Sequence, residues 1–404
     1  MRQRSRVVLA SMVAIMAVFA ASCAPPSGPD RPDPTVPVNP ADPPGTVRYF
    51  GSDASWNRPA AELGRSTQYA SYADRFWVAS DLRGVTDPSA RGQVDLLFGD
   101  YSVPIYDRRD ATTTRRVFHA GWGWPGNLGP ADAIPWNPEW KPAPGQDAIM
   151  LILDPDTGTN IELWAVQGPN WTSCVTLENL LAGFVGGKDL CVGAASVSTN
   201  ADGTPTDVRS EFGATSMRGM GIEKLALVTR AEEVASGRID HALAMSVGNT
   251  MFGPECDATA PGAGTDCGFF VAPATKVEHL DGPAKVCDTY DGAAPDARRS
   301  LTVPSGMRFA LNMTDAQIDE WLASRNLAEP LRTTTRIFAV ALRDYGWVIA
   351  ETTCSGSVIE TDGITNPETA AMWAELGVTR PEVGHGLLDG LFTRDRIVVI
   401  NPTT

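Results

Sequence analysis

Acidic side chains seldom sit inside a β-rich run unless solvent or chemistry keeps them there. The segment Asp147 to Val166, DAIMLILDPDTGTNIELWAV, holds two such runs around Pro155-Asp156-Thr157-Gly158. Pro presets φ and Gly supplies a positive φ, so the tetrapeptide reads as a turn and the segment as a β-hairpin. If Asp154 pairs with Thr159, Leu151 faces Glu162 and Ile149 faces Trp164. One face then carries Ala148, Met150, Ile152, Ile161, Leu163 and Ala165, a core surface. The other carries Asp147, Ile149, Leu151, Glu162 and Trp164. A carboxylate beside an aromatic among apolar neighbours suits the floor of a cleft. Glycoside hydrolysis needs two carboxylates, and Glu162 with Asp147 is the candidate pair. The plainer alternative for Glu162 is a strand acid facing solvent.

Tryptophan is the second signal. Gly121-Trp122-Gly123-Trp124-Pro125 is followed by Pro135-Trp136-Asn137-Pro138-Glu139-Trp140. Flat aromatic faces suit the apolar faces of sugar rings, so Trp122, Trp124, Trp136, Trp140 and Trp164 are candidate substrate-binding residues. The same rings would serve equally as buried area at a sheet edge. Arg218, in the glycine-flanked loop Ser216 to Ile222, and His241, in Gly237 to Leu243, are candidate charge clamp and general acid or base. A satisfied core histidine is the rival reading of His241. His119, His279 and His385 fall in loops. Asp154, Asp156 and Asn160 lack the sixth-position Gly and closing Glu of an EF-hand, and a turn explains them. Walker A, dinucleotide, HExxH and GxSxG patterns are absent, so no cofactor is expected. No C-x-x-C occurs and the four histidines are scattered, so no metal is expected.

The N-terminus reads as an export signal. Arg2, Arg4 and Arg6 precede an apolar run, Val7 to Ala21, that is too short for a spanning helix of about 20 residues. It ends in Ala20-Ala21-Ser22-Cys23, which resembles the lipobox of bacterial lipoproteins, so Cys23 is expected to carry lipid. Ala20 stands where Leu is commonest, and plain cleavage after Ala24 is the alternative. Removing Cys23 leaves six of seven cysteines: Cys174, Cys191, Cys256, Cys267, Cys287 and Cys354. An even number in an exported chain implies disulfides, of 15 possible pairings. Local pairing would join Cys174 to Cys191, Cys256 to Cys267, and Cys287 to Cys354. Ala24 to Thr46 then packs nine prolines into 23 residues, an extended tether holding a folded body off the envelope. The net charge is −15, and cleavage before Cys23 leaves 30 basic against 48 acidic residues, a net of −18. Such a surface repels nucleic acid and polyanions.

These side chains need elements to position them. Residues 47–404 carry neither an internal repeat nor a low-complexity linker and read as one large domain or two closely packed ones. Besides the hairpin, strands are expected at Val94 to Phe98, Lys224 to Val228, Ile239 to Val247, Phe269 to Ala272, Met307 to Asn312, Trp347 to Glu351 and Arg396 to Ile400. Helices are expected at Asp315 to Ser324, behind the capping box of Thr314 and Gln317, at Thr333 to Tyr345, and from Asn366-Pro367 to Gly377. Many short strands and few helices point to a mainly β fold, a β-sandwich or jelly roll with α-helical additions.

Trp56-Asn57 after Phe50, the Glu-Leu-Trp of the hairpin, the Arg218-Gly run, Ser305-Gly306-Met307-Arg308-Phe309 and Asp344-Tyr345-Gly346 resemble a widespread set of secreted bacterial proteins. The resemblance spans most of Val47 to Ile400 and implies a shared β-rich extracellular body without an agreed activity. In that set a histidine usually follows Asp147, where this chain has Ala148. Ile239-Asp240-His241 with Arg218 bears a fainter likeness to jelly-roll polysaccharide lyases, without their glutamine. The combined expectation is an envelope-tethered, carbohydrate-active protein, attached to the membrane only through its N-terminal lipid and free of nucleic-acid partners. A glycosidase acting on a polysaccharide is preferred. A non-catalytic glycan-binding lipoprotein and a lyase are the alternatives.

Overall fold

The turn Pro155 to Gly158 closes a hairpin in the register the sequence predicts: Asp154 pairs with Thr159, Leu151 with Glu162 and Met150 with Leu163. In this computed structural model the described residues are 50, 54–123, 126–129, 132–167, 171–198, 219–278, 300–354 and 356–403. Backbone contacts divide the chain into two units, Met1–Pro34 and Thr35–Thr404, and every described residue belongs to the second.

Three sheets form. The largest runs, in spatial order, β1 (Val94–Leu97), β12 (Ser357–Glu360), β9 (Leu243–Val247), β11 (Trp347–Thr352), β10 (Arg308–Leu311) and β13 (Ile397–Val399). It is mixed: β1 is parallel to β12 and β9 to β11, while the other neighbours are antiparallel. The second sheet holds β2 (Ile105–Asp107), the hairpin strands β5 (Met150–Asp154) and β6 (Thr159–Trp164), and β8 (Ala194–Ser198). The third holds β4 (Ala133–Trp136), β3 (Thr113–His119) and β7 (Leu190–Val192).

Helices pack against these sheets. Residues Tyr72–Ala79 form a helix whose Phe76 sits 5.1 Å from Phe309 and 5.2 Å from Trp347, ring to ring, deep in the main core. The helix Asp315–Ser324 starts at the expected capping box, with Thr314 and Gln317 each accepting the other's backbone N–H. Leu331–Asp344 and Pro367–Glu375 follow, stacking Phe338 on Trp373. Each stops short of a glycine with positive φ, Gly346 and Gly377, where a side chain would strain the backbone.

Strand and helix take near-equal shares, 24% and 26%. The protein is therefore a mixed α and β structure with a substantial strand content, which meets the mainly β expectation only in part. No barrel closes among the described residues. Helices not expected from the sequence, such as Tyr72–Ala79, Leu177–Leu181 and Ala231–Ala235, raise the helical share, and two expected strands do not form. Lys224 to Val228, expected as a strand, is one helical turn, Lys224–Leu227, buried along its whole length. A short, continuously buried run has no periodicity to tell strand from helix. Phe269 to Ala272 makes only isolated bridges, such as Phe270 with Ser305.

Candidate functional site

Residues paired across neighbouring strands share a face. Leu97 pairs with Glu360, Ser246 with Val358, and Ser246 again with Glu351 on its other side. One face of the large sheet thus gathers Glu351, Glu360 and Ser246 at the floor of a cavity of about 450 Å³. The helical turn Lys224–Leu227 lies over this face and drops Lys224 into it. The Lys224 side chain is 1% exposed, with Nζ 2.6 Å from Glu351 Oε2 and 3.8 Å from Glu360 Oε1. The Ser246 hydroxyl donates to Glu360 Oε1 at 3.2 Å. An ammonium this deep must be paired to be tolerated, and two carboxylates pair it.

Asp147, Gln146 and Ile149 supply the cavity's second wall from the foot of the hairpin, and Tyr101 a third. Tyr101 has φ 62°, and Ala148, between Asp147 and Ile149, has φ 36°. Left-handed backbone at non-glycine residues costs about 1–3 kcal/mol each and collects where side chains are held for function. Gly145 leaves room for the Tyr101 ring, which a Cβ would meet at 3.2 Å. Asp147, Glu351 and Glu360 against Lys224 give the described lining an acidic excess, which disfavours anionic ligands.

Glu162 stands behind this wall. It is 2% exposed, and its Oε1 accepts the backbone N–H of Lys224 at 2.6 Å, capping the helical turn. Asn160 donates to Glu162 at 3.3 Å and to Glu223 at 2.6 Å, and Ser198 also donates to Glu223. The expected pair is thus divided: Asp147 borders the cavity and Glu162 holds the element that carries Lys224.

The expected tryptophan platform divides too. Trp164 donates its indole N–H to Asp147 at 3.2 Å, and Trp122, exposed, packs edge to face on Trp164 at 5.7 Å. Gly193 lies against the Trp164 ring, which any Cβ there would meet at 2.4 Å. Trp136 and Trp140 are buried with Tyr106 in a second core between sheets, Trp140 stacked on Tyr106 at 5.2 Å. Their rings are out of a ligand's reach, which corrects the reading of them as substrate-binding. Trp124 lies outside the described residues.

His241 is buried away from the cavity. Its Nε2 meets Glu233 at 3.2 Å and its Nδ1 lies 2.8 Å from the carbonyl of Ala242. Arg230 Nη2 reaches the same Glu233 at 2.6 Å. Burial raises the Glu233 carboxyl, but the neighbouring Arg230 and His241 outweigh it and hold the group down at about 2. Three groups that satisfy one another make His241 a core histidine, and the general acid or base reading is corrected. Arg218 lies outside the described residues.

Two disulfides follow the local pairing, Cys174 with Cys191 and Cys256 with Cys267. They place the body in an oxidising, extracytoplasmic compartment. Cys354 is half-buried at the cavity edge, and Cys287 lies outside the described residues. Cys23, with the signal and tether, also lies outside them. No described helix is long and apolar enough to cross a membrane. Among the described residues no group of three His, Cys, Asp or Glu side chains is placed to hold a metal ion.

Lys224, Glu351 and Glu360 were not singled out from the sequence. The available signal was acids closing two apolar runs, WVIAE and SVIE, which join only through the parallel pairing of β9 with β11 and the antiparallel pairing of β9 with β12. In comparisons with known proteins, no family model, curated protein or solved structure matches the chain.

Proposed function

We propose that the protein is an envelope-tethered glycoside hydrolase acting on a neutral cell-wall or environmental polysaccharide, with the cavity over the large sheet as its active site. The observation that carries this reading is the convergence of Glu351 and Glu360 on the single ammonium of Lys224 at a cavity wall. Hydrolysis of a glycosidic bond uses one carboxyl to protonate the leaving oxygen and a second to attack the anomeric carbon or activate water. Glu351, in the tighter contact with Lys224 and the more exposed of the two, is the carboxyl nearer the ligand. Glu360 lies deeper, held by Ser246, and is the second carboxyl of the pair. Asp147 lines the cavity and would take a sugar hydroxyl, with Trp164 behind it donating its indole N–H to the carboxylate. Cys23 carries the lipid in this reading, and the proline-rich tether sets the working distance.

The test is product release from a panel of neutral and acidic polysaccharides by the protein and its Glu351→Gln and Glu360→Gln forms. Release from a neutral glycan, falling about 10³-fold in either variant while each remains folded at the assay temperature, is the expected result. Glycan binding without release in all three proteins would instead establish the non-catalytic binding lipoprotein. Uptake of labelled fatty acid by the exported protein, lost in Cys23→Ser, tests the anchor separately.

A further inference from the structure

The chain Cys174 to Asp189 turns its apolar side chains the wrong way round. Leu177 is 75% and Leu181 81% exposed, and Leu180, Val175 and Val185 are exposed beside them. Leucines this exposed stand on a convex knuckle rather than line a groove. Isolated exposed leucines need no explanation, but five apolar residues on one short segment do.

The knuckle is fixed from beneath. Cys174 is bonded to Cys191, and Thr176 caps the short helix Leu177–Leu181 through the N–H of Asn179. The Asn179 amide donates to the carbonyls of His119 and Cys174, both at 2.9 Å. Phe184 packs into Phe118 at 5.0 Å, and Asp189 accepts the N–H of Val185 at 2.7 Å. The leucines are therefore presented by a pinned scaffold. Cations gather at its base: Lys188 is exposed, Arg115 donates to the carbonyl of Gly187 and Arg116 to that of Gly183. Against them stand exposed Glu178 and the buried, Arg116-paired Asp189. A local basic excess is notable in a chain of net charge −15. Trp122, 54% exposed, completes the rim, because the N–H of Gly121 binds the carbonyl of Ser173.

We infer that this knuckle docks on the surface of an anionic phospholipid bilayer, with Leu177, Leu180 and Leu181 entering the acyl boundary and Lys188 and Arg115 lying among headgroups. A convex apolar tip needs no complementary pocket in a bilayer, whereas a protein partner would have to supply one. Flanking cations and an indole are the side chains that favour the headgroup layer. The contact is additional to any N-terminal lipid and does not rest on the glycosidase reading.

The test is co-sedimentation of the full-length exported protein, carrying Cys23→Ser to remove acylation, with vesicles of phosphatidylglycerol and phosphatidylcholine and with vesicles of phosphatidylcholine alone. Sedimentation is expected with the anionic vesicles and weakens with salt. Leu177→Ser with Leu181→Ser should reduce it about ten-fold at unchanged melting temperature, since both side chains are already in water. Lys188→Glu should weaken binding to anionic vesicles only, and gives a second reading if the double variant folds poorly. Equal sedimentation of protein and variants, or none with either vesicle, overturns the inference, as does capture of a protein partner by the leucines without vesicle binding. Glycan release from soluble substrate is unaffected by these changes, so failure here and failure of the hydrolase reading remain distinguishable.

Discussion

Lys224 is held between two acids with its whole side chain out of water. Removing one member of a buried ionic group leaves the others uncompensated, at a cost of about 3–5 kcal/mol. Lys224→Met is therefore expected to lower stability by about that much, measured by urea unfolding, and to abolish glycan release. Glu162 is a positioning residue by its contacts, since it holds Lys224 through the backbone N–H. Glu162→Gln keeps an acceptor there, so its release should fall less than that of Glu351→Gln, with kcat reduced and KM little changed. Glu162 was legible in the sequence as an acid in a β-rich run, and Asp147 as its companion. Glu351 and Glu360 were not, because each lies at or next to the end of its own strand and only a third strand, β9, brings them to one face.

Among elements, the hairpin Asp147 to Val166 was the most legible, because turn chemistry and period-two alternation fix its register together. The helix Asp315–Ser324 was equally plain from its capping box. Lys224–Leu227 was not, because its helical turn is specified by a carboxylate from another sheet. The loop closed by Cys174 and Cys191 spans a sequence separation of 17, for which a disulfide contributes about 3 kcal/mol by restricting the unfolded chain. Reduction, or Cys174→Ser with Cys191→Ser, should lower the melting temperature accordingly. It should also raise hydrogen exchange in the Leu177–Leu181 helix above that of Asp315–Ser324, which no disulfide supports.

At the scale of the molecule, two buried acids make stability depend on pH in opposite senses. Burial pushes the Asp362 carboxyl up to about 8, against the lowering effect of hydrogen bonds from Trp373 Nε1 at 2.7 Å and the N–H of Ala231. The folded state then keeps a proton that the unfolded chain releases near about pH 4. Stability from this group is present below about pH 4 and declines as pH rises towards about 8. Glu233, held at about 2, acts in the opposite sense: its contribution is present above the ordinary carboxylate range and is lost as pH falls towards about 2. Urea unfolding at about pH 5 and about pH 8 should show a loss in the protein that Asp362→Asn removes, since an amide has no proton to release. An equal loss in the variant would show that another group dominates the alkaline limb.

The sequence by itself determined what depends on neighbours along the chain: the hairpin and its register and the capped helices, while the pairing of Cys174 with Cys191 and of Cys256 with Cys267 was one of its open alternatives. Its N-terminal composition also raised the expectation of an export signal and a tether, on residues outside the described ones. Only the tertiary structure decided which tryptophans are core and which face solvent, that His241 is satisfied by Glu233, and that Lys224 meets Glu351 and Glu360. Those outcomes rest on strand order and on tertiary packing, across more than a hundred residues for Lys224 and Glu351, and local spacing does not encode either. A charged side chain reads the same in a sequence whether it ends in water or beneath a sheet. Its burial, and the partner that makes burial tolerable, arise only when the sheets assemble.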